Sequence, residues 1–298
     1  FFRISFSLDS SNGCIPLNVN TINTSSSLTD CVPAKYIWDL QQVESSCGYL
    51  SNWNFANGTD TNSVNPSFTI NNPGKYVISL TVINKCDSTA FSDTIIVKGP
   101  PQVTIDPIAD FCNSALINPS AIVDSCLSNV ITLQWNFGNG NPTSSSSINP
   151  GSINFTQLGQ QSVSLDVTNE CGTINSTETF TIFESPDISM PQDDSICNGN
   201  SIILNPTISL GNPAYSYSWT PTNGLSNSSN LNPNANPTVT TTYFLNVSDA
   251  NLCQDLDSVV ITVLDLPLVD AGNDQIICKN DTIFLSGSTN GGVPPYNF

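Results

Sequence analysis

Apolar and polar residues alternate one by one through much of this chain. In Tyr76-Val-Ile-Ser-Leu-Thr-Val82, Ile78, Leu80 and Val82 point one way while Ser79 and Thr81 point the other. That is the period of a strand with one buried face. The runs are short, and no segment sustains the 3.6-residue period of an amphipathic helix. The pattern predicts an all-β chain.

The runs also repeat. Tyr76 to Cys86 recurs as Ser162 to Cys171 and, more loosely, as Tyr243 to Cys253. The three cysteines that close these runs, Cys86, Cys171 and Cys253, stand 85 and 82 residues apart. A second marker is an aromatic strand carrying Trp38, Trp135 and Trp219, each expected to plug the core of its unit. A third run closes each unit, at Asp93–Val97, Thr179–Phe183 and Ser258–Val263. Cys197 precedes Tyr215 by 18 residues, and Cys278 precedes Tyr296 by the same distance, so a fourth unit has begun.

With about seven strands per unit, the expected fold is a series of tandem Ig-like β-sandwiches. Proline-marked joints at Gly99-Pro100-Pro101, Ser185-Pro186 and Leu266-Pro267 place the modules at 1–99, 100–185 and 186–266. The segment 267–298 is then the truncated start of a fourth. Joints this short and proline-rich are stiff. Strands of about ten residues at roughly 3.3 Å each would make three modules an elongated rod on the order of 100 Å long.

Composition narrows the function. Six basic residues against 24 acidic ones give a net charge of −18. None of the basic residues lies between Gly99 and Cys278, so the chain lacks the basic patch that nucleic-acid binding requires. No apolar run approaches a membrane span and no signal peptide is visible at Phe1, so the chain reads as starting and stopping inside a longer protein. The ten cysteines form no Cys-x-x-Cys pair and there is no histidine. Zinc ligation is disfavoured by that spacing, and Ser-His or Cys-His catalysis is excluded. Dispersed cysteines read as disulfides of a secreted, extracellular protein. No phosphate-binding glycine loop is present, and no cofactor is expected.

At Trp135-Asn-Phe-Gly-Asn-Gly140 and Asn72-Pro-Gly-Lys-Tyr76 to Val82 the chain resembles PKD domains, as does Trp53-Asn-Phe-Ala-Asn-Gly58. The third unit, at Asn212-Pro-Ala-Tyr215 to Trp219 and Pro237 to Tyr243, resembles the repeats of giant surface adhesins of gliding Bacteroidetes. The opening at Val269 to Cys278 is similar to the start of those same repeats. The second unit departs from the pattern with Gln161 where the first has Tyr76. The resemblance implies a type-IX-secreted protein held at the cell surface. It also implies O-glycosylation at Asp-Ser/Thr signals, naming Ser88, Thr94, Ser195, Ser258 and Thr282, unless those dipeptides only start strands.

Sandwich topology limits which cysteines can meet, since bonded Cα atoms lie within about 7 Å. Grouping cysteines by the end of the sandwich they occupy pairs Cys31–Cys86, Cys126–Cys171 and Cys14–Cys47. A Cys112–Cys253 bond would then stitch neighbouring modules and leave Cys197 and Cys278 for partners further along. The alternative is Cys197–Cys253 within one module, which strands Cys112.

Two acidic groups invite chemistry. Asp193-Asp194 beside Pro191 could serve a glycosidase, but reads better as a solvated turn. Asp249, Asp255 and Asp257 offer hard oxygens for calcium, against a polar hairpin that merely holds Cys253. The leading reading is therefore non-enzymatic: a structural and adhesive stalk of a long surface filament, possible partners being neighbouring modules, surface glycans or other surface proteins. The alternative is a spacer, or a carbohydrate-binding array using Tyr215 and Tyr217, in a secreted hydrolase.

Overall fold

The computed structural model describes residues 3–26, 35–83 and 88–296. It is all-β, with no helix among those residues. Chain contacts divide it into two compact units. One comprises Phe1–Ala109 and Ser114–Thr181, the other Asp110–Asn113 and Ile182–Phe298.

The first unit opens with eight strands: β1 (Phe6–Leu8), β2 (Asn12–Cys14), β3 (Leu17–Asn23), β4 (Lys35–Ser45), β5 (Trp53–Ala56), β6 (Ser67–Ile70), β7 (Gly74–Ile83) and β8 (Ser88–Lys98). They form two four-stranded sheets, ordered β1-β3-β6-β5 and β2-β8-β7-β4. All neighbours are antiparallel except β2 and β8, which run parallel. This split first strand, shared between two otherwise antiparallel sheets, is Ig-like. The inward positions of β7 are the ones the alternation predicts: Tyr76, Ile78, Leu80 and Val82 are buried.

A second copy of this strand order follows. Its strands are β9 (Gln102–Ile105), β10 (Phe111–Cys112), β11 (Ala115–Ile117), β12 (Ala121–Asp124), β13 (Val130–Asn136), β14 (Ser144–Ser145), β15 (Ile153–Phe155), β16 (Gly159–Asn169) and β17 (Gly172–Phe183). One sheet runs β10-β17-β16-β13-β14, and the other is built from the pairs β11-β15 and β12-β9. The short β10 belongs to the second unit and again runs parallel to the last strand.

The second unit carries the third copy. It consists of β18 (Pro186–Ser189), β19 (Asp194–Cys197), β20 (Ile202–Ile203), β21 (Thr207–Leu210), β22 (Ser216–Thr220), β23 (Asn234–Ala235), β24 (Thr241–Ser248) and β25 (Gln254–Leu264). Its main sheet is β19-β25-β24-β22, and β19 repeats the parallel pairing. Two strands, β26 (Leu268–Asp270) and β27 (Ser288–Asn290), then form an antiparallel pair. Leu268, Val269, Phe284 and Leu285 in that last segment are exposed.

Each core is anchored on one cross-strand pair. Trp38 lies opposite Leu80, Trp135 opposite Leu165 and Trp219 opposite Leu245, and all six side chains are buried. Trp53, grouped with Trp135 by its Asn-Phe neighbours, instead occupies β5 in the opposite sheet. Its ring packs edge-on against Phe55, and Trp38 holds the true equivalent position. The departure at Gln161 also has a local reason. Tyr76 donates its hydroxyl to the carbonyl of Asn72, four residues back, and Gln161 Nε2 donates to Gln157, likewise four back. An amide reaches the same kind of acceptor as a phenol, so the corner survives the exchange.

Candidate functional site: the covalent joints

The groups that stand apart from ordinary core packing cluster where one copy follows another. In the first unit, β2 ends in Cys14 and the turn between β16 and β17 carries Cys171; the two are bonded, with Cα atoms 5.4 Å apart. Cys47 follows β4 and Cys126 follows β12, both in left-handed backbone that turns their side chains out of the strand direction. They too are bonded, Cα to Cα 5.4 Å. Two bridges thus close this joint.

Hydrogen bonds reinforce it. The buried Asn169 side chain donates to the carbonyls of Gly99 and Ser125, at 2.8 and 3.1 Å, and its oxygen accepts the N–H of Cys171. Gly99 donates its N–H to Cys126, and Gln102 donates its amide to the carbonyl of Cys47. Lys98 meets Glu170 at 2.8 Å, and Ser128 donates to the same carboxylate oxygen. Hydrogen bonds from Lys98 and then Ser128 hold the Glu170 carboxyl below its ordinary range. That pair faces solvent, so it orients the joint more than it stabilises it.

The second unit has one bridge, Cys112–Cys253, with Cα atoms 5.7 Å apart. Cys253 is fully buried in the turn between β24 and β25. Asp249 organises that turn. One of its oxygens accepts the N–H groups of Asn251 and Cys253, and the other accepts the N–H of Asn212. At 3% exposure, this carboxylate replaces its lost hydration with three backbone donors. Asp249→Ala should therefore lower the unfolding free energy by about 2–3 kcal/mol. Asp249→Asn, which keeps an acceptor, should lose less. Denaturant melts of the two variants check this, and equal losses would show that the oxygens do not hold the turn.

Two disulfides expected from the sequence are corrected. Cys14 does not meet Cys47, and Cys126 does not meet Cys171: the partners are exchanged to Cys14–Cys171 and Cys47–Cys126. Cysteines at one end of a copy face the adjoining copy across a short joint, so proximity within a copy was the wrong criterion. The alternative Cys197–Cys253 fails because Cys253 is taken by Cys112, and Cys197 and Cys278 are free and exposed. The Cys31–Cys86 pairing lies outside the described residues.

The calcium grouping is also corrected. Asp249 is occupied as above, Asp255 accepts the N–H of Ile188, and Asp257 accepts that of Ser258. Among the described residues these three carboxylates do not converge. Cys47, Asp124 and Cys126 do lie together, but both sulfurs are consumed in a disulfide and offer no thiolate. Asp193 and Asp194 accept backbone N–H groups of Val260 and Ser195 at a shallow surface beside Thr262. Tyr215 and Tyr217 pack against the third core, and the Tyr215 hydroxyl donates to Leu210.

The proposed glycan acceptors are dispersed. Ser88, Ser195 and Thr282 are exposed, while Thr94 and Ser258 are half-buried within β8 and β25. In three cases the Asp accepts the N–H of the residue after it at 2.7 Å, at Thr94, Ser195 and Ser258. No helix is long and apolar enough to cross a membrane among the described residues.

No family model and no curated protein matches this chain. Among solved structures it is similar to titin domains I67–I69, at 13% identity over 88% of this chain and 99% of that one, with a TM-score of 0.33. It is similar to Sidekick-1 immunoglobulin domains 1–5, at 13% identity over 89% of this chain and 60% of that one, TM-score 0.34. The three N-terminal domains of the bacteriophage RB49 highly immunogenic outer capsid protein align at 11% identity over 89% and 100%, TM-score 0.44. The Ig-like character of this chain rests on its own strand order.

Proposed function

We propose that this chain is part of an array of Ig-like modules, divided at 1–99, 100–185, 186–266 and 267–298, that works mechanically outside the cell. One observation carries the reading. Successive copies are joined by disulfides, Cys14–Cys171 and Cys112–Cys253, as well as by peptide bonds. A sandwich needs no covalent link to its neighbour in order to fold. A chain that must keep its length under tension or proteolysis gains from one. Disulfides at this density suit an oxidising, extracytoplasmic compartment.

Within that reading, the PKD-like signatures and the third unit's motifs favour a surface filament or adhesin of the kind found in gliding Bacteroidetes. Neighbouring modules are then its first partners, with surface glycans or other surface proteins beyond them. O-glycans at the exposed Ser88, Ser195 and Thr282 belong to the same picture. The half-buried Tyr215 and Tyr217 weigh against the carbohydrate-binding alternative, whose platforms need open aromatic faces.

The size and location of the native polypeptide test this. A surface-held chain several times longer than these 298 residues, its intact mass raised by glycans, is the expected result. A released chain with one catalytic domain beside these modules would replace the stalk with a hydrolase spacer.

A further inference from the structure

We infer that Cys197 is the outgoing half of a further disulfide, built to take a turn cysteine of another Ig-like copy placed after the third. Three cysteines end the short parallel strand of their copies. Cys14 pairs in register with Lys98, Cys112 with Phe183 and Cys197 with Leu264. Lys98, Phe183 and Leu264 are each the last residue of the long final strand. The residue after each cysteine is tied down in the same way. Ile15, Asn113 and Asn198 donate their N–H groups to those three carbonyls, at 3.0, 2.7 and 2.9 Å.

Two of these three equivalent cysteines are bonded, and both choose the same kind of partner. Cys171 and Cys253 each lie in the turn between the last two strands of the copy that follows. Cys197 has the same backbone position with a free, exposed thiol. Cys278, the other free thiol, lies outside any strand and lacks that position. A catalytic role for Cys197 would want a neighbouring base, and the chain contains no histidine.

The partner's chemistry follows from the two bonds already made. The N–H of Cys171 is held by the side-chain oxygen of Asn169, and that of Cys253 by Asp249, each at 2.8 Å. Cys197 should therefore take a cysteine two to four residues after an Asn or Asp at the end of a strand. The existing bonds span 157 and 141 residues, which places the partner roughly 140–160 residues beyond Cys197.

Closing the bond is a thiol–disulfide exchange. The two thiols lose two protons and two electrons to a low-molecular-weight disulfide or an oxidoreductase disulfide, whose S–S bond breaks to give two thiols. The inference rests on the repeat of strand position and pairing, and holds whether or not the array bears tension.

The test is a digest of the native polypeptide with an Asp-specific protease, alkylated without reduction. The fragment that begins at Asp194 and runs to Ser248 contains Cys197 as its one cysteine. Recovery of this fragment linked to a strand-turn cysteine of a later copy is expected. An alkylated Cys197, a bond to Cys278 or a bond to a small thiol would overturn the inference. A second chain, in which residues 186–266 are repeated directly after Leu266 with serine in place of the repeat's own copy of Cys197, is refolded with glutathione disulfide. There Cys197 alkylation should fall at least about tenfold relative to the reduced chain. Full alkylation of Cys197 in molecules that have formed Cys112–Cys253 would be equally decisive against it.

Discussion

Replacing both bridges of the first unit by serine pairs is expected to lower its unfolding free energy by about 4–7 kcal/mol, at about 2–4 kcal/mol per bridge. Cys14–Cys171 closes 157 residues and Cys47–Cys126 closes 79. In the chain-entropy account, long closed loops remove many conformations from the unfolded ensemble, which is why both bonds matter. The loops are nested, however. With Cys14–Cys171 in place, residues 47 and 126 are already joined by a second path of similar length. The inner bond should then contribute about 0.6 kcal/mol less than it does alone, the effect of halving a loop. Denaturant melts of Cys14→Ser/Cys171→Ser, of Cys47→Ser/Cys126→Ser and of the fourfold variant measure all three quantities. Unchanged midpoints would mean that the packing and hydrogen bonds around Asn169 hold the joint without covalent help.

Truncating Trp219 to alanine should destabilise the third copy by about 3–5 kcal/mol, the range for removing a large buried aromatic. Its ring fills the space facing Leu245 and its indole N–H donates to Asn230 at 2.9 Å. Trp38 is equivalent, donating to Ser63 at 3.0 Å. Trp135 differs: it lies stacked on Phe137, and its buried Nε1 has no hydrogen-bond partner. A gentler substitution separates packing from hydrogen bonding. Trp219→Phe and Trp38→Phe lose a buried bond as well as volume, whereas Trp135→Phe removes a donor that was already unsatisfied. Trp135→Phe should be milder than the other two by about 1 kcal/mol in chemical denaturation. The reverse ranking would refute that assignment of the indole N–H.

Much of this architecture could be read from residue order alone, because strand faces are set locally. Successive side chains of an extended chain point to opposite sides, so Ile78, Leu80 and Val82 had to share a face whatever they packed against. The indole positions followed from the same regularity. A motif without its register was less reliable. Trp53-Asn-Phe55 and Trp135-Asn-Phe137 look alike as text, yet they lie on opposite sheets of their copies, because the Trp38 strand had already filled the equivalent slot. Asp249 shows the same limit on the functional side. Its acidity suggested a cation, but burial against three N–H groups made it the keystone of a turn.

Residue order was enough for the all-β class, the repeating sandwich unit, the buried Trp of each copy and the exclusion of histidine chemistry. These depend on periodicity and residue type, which act over a few neighbours. The partners of Cys14, Cys47, Cys126 and Cys171 were settled only by the folded arrangement. Cys14 and Cys171 are 157 residues apart in the chain, and their encounter depends on the end of one copy facing a turn of the next. Alternation within a strand carries no information about that arrangement. It is produced when two sandwiches dock across a joint a few residues long, and only then do the cysteines select their partners.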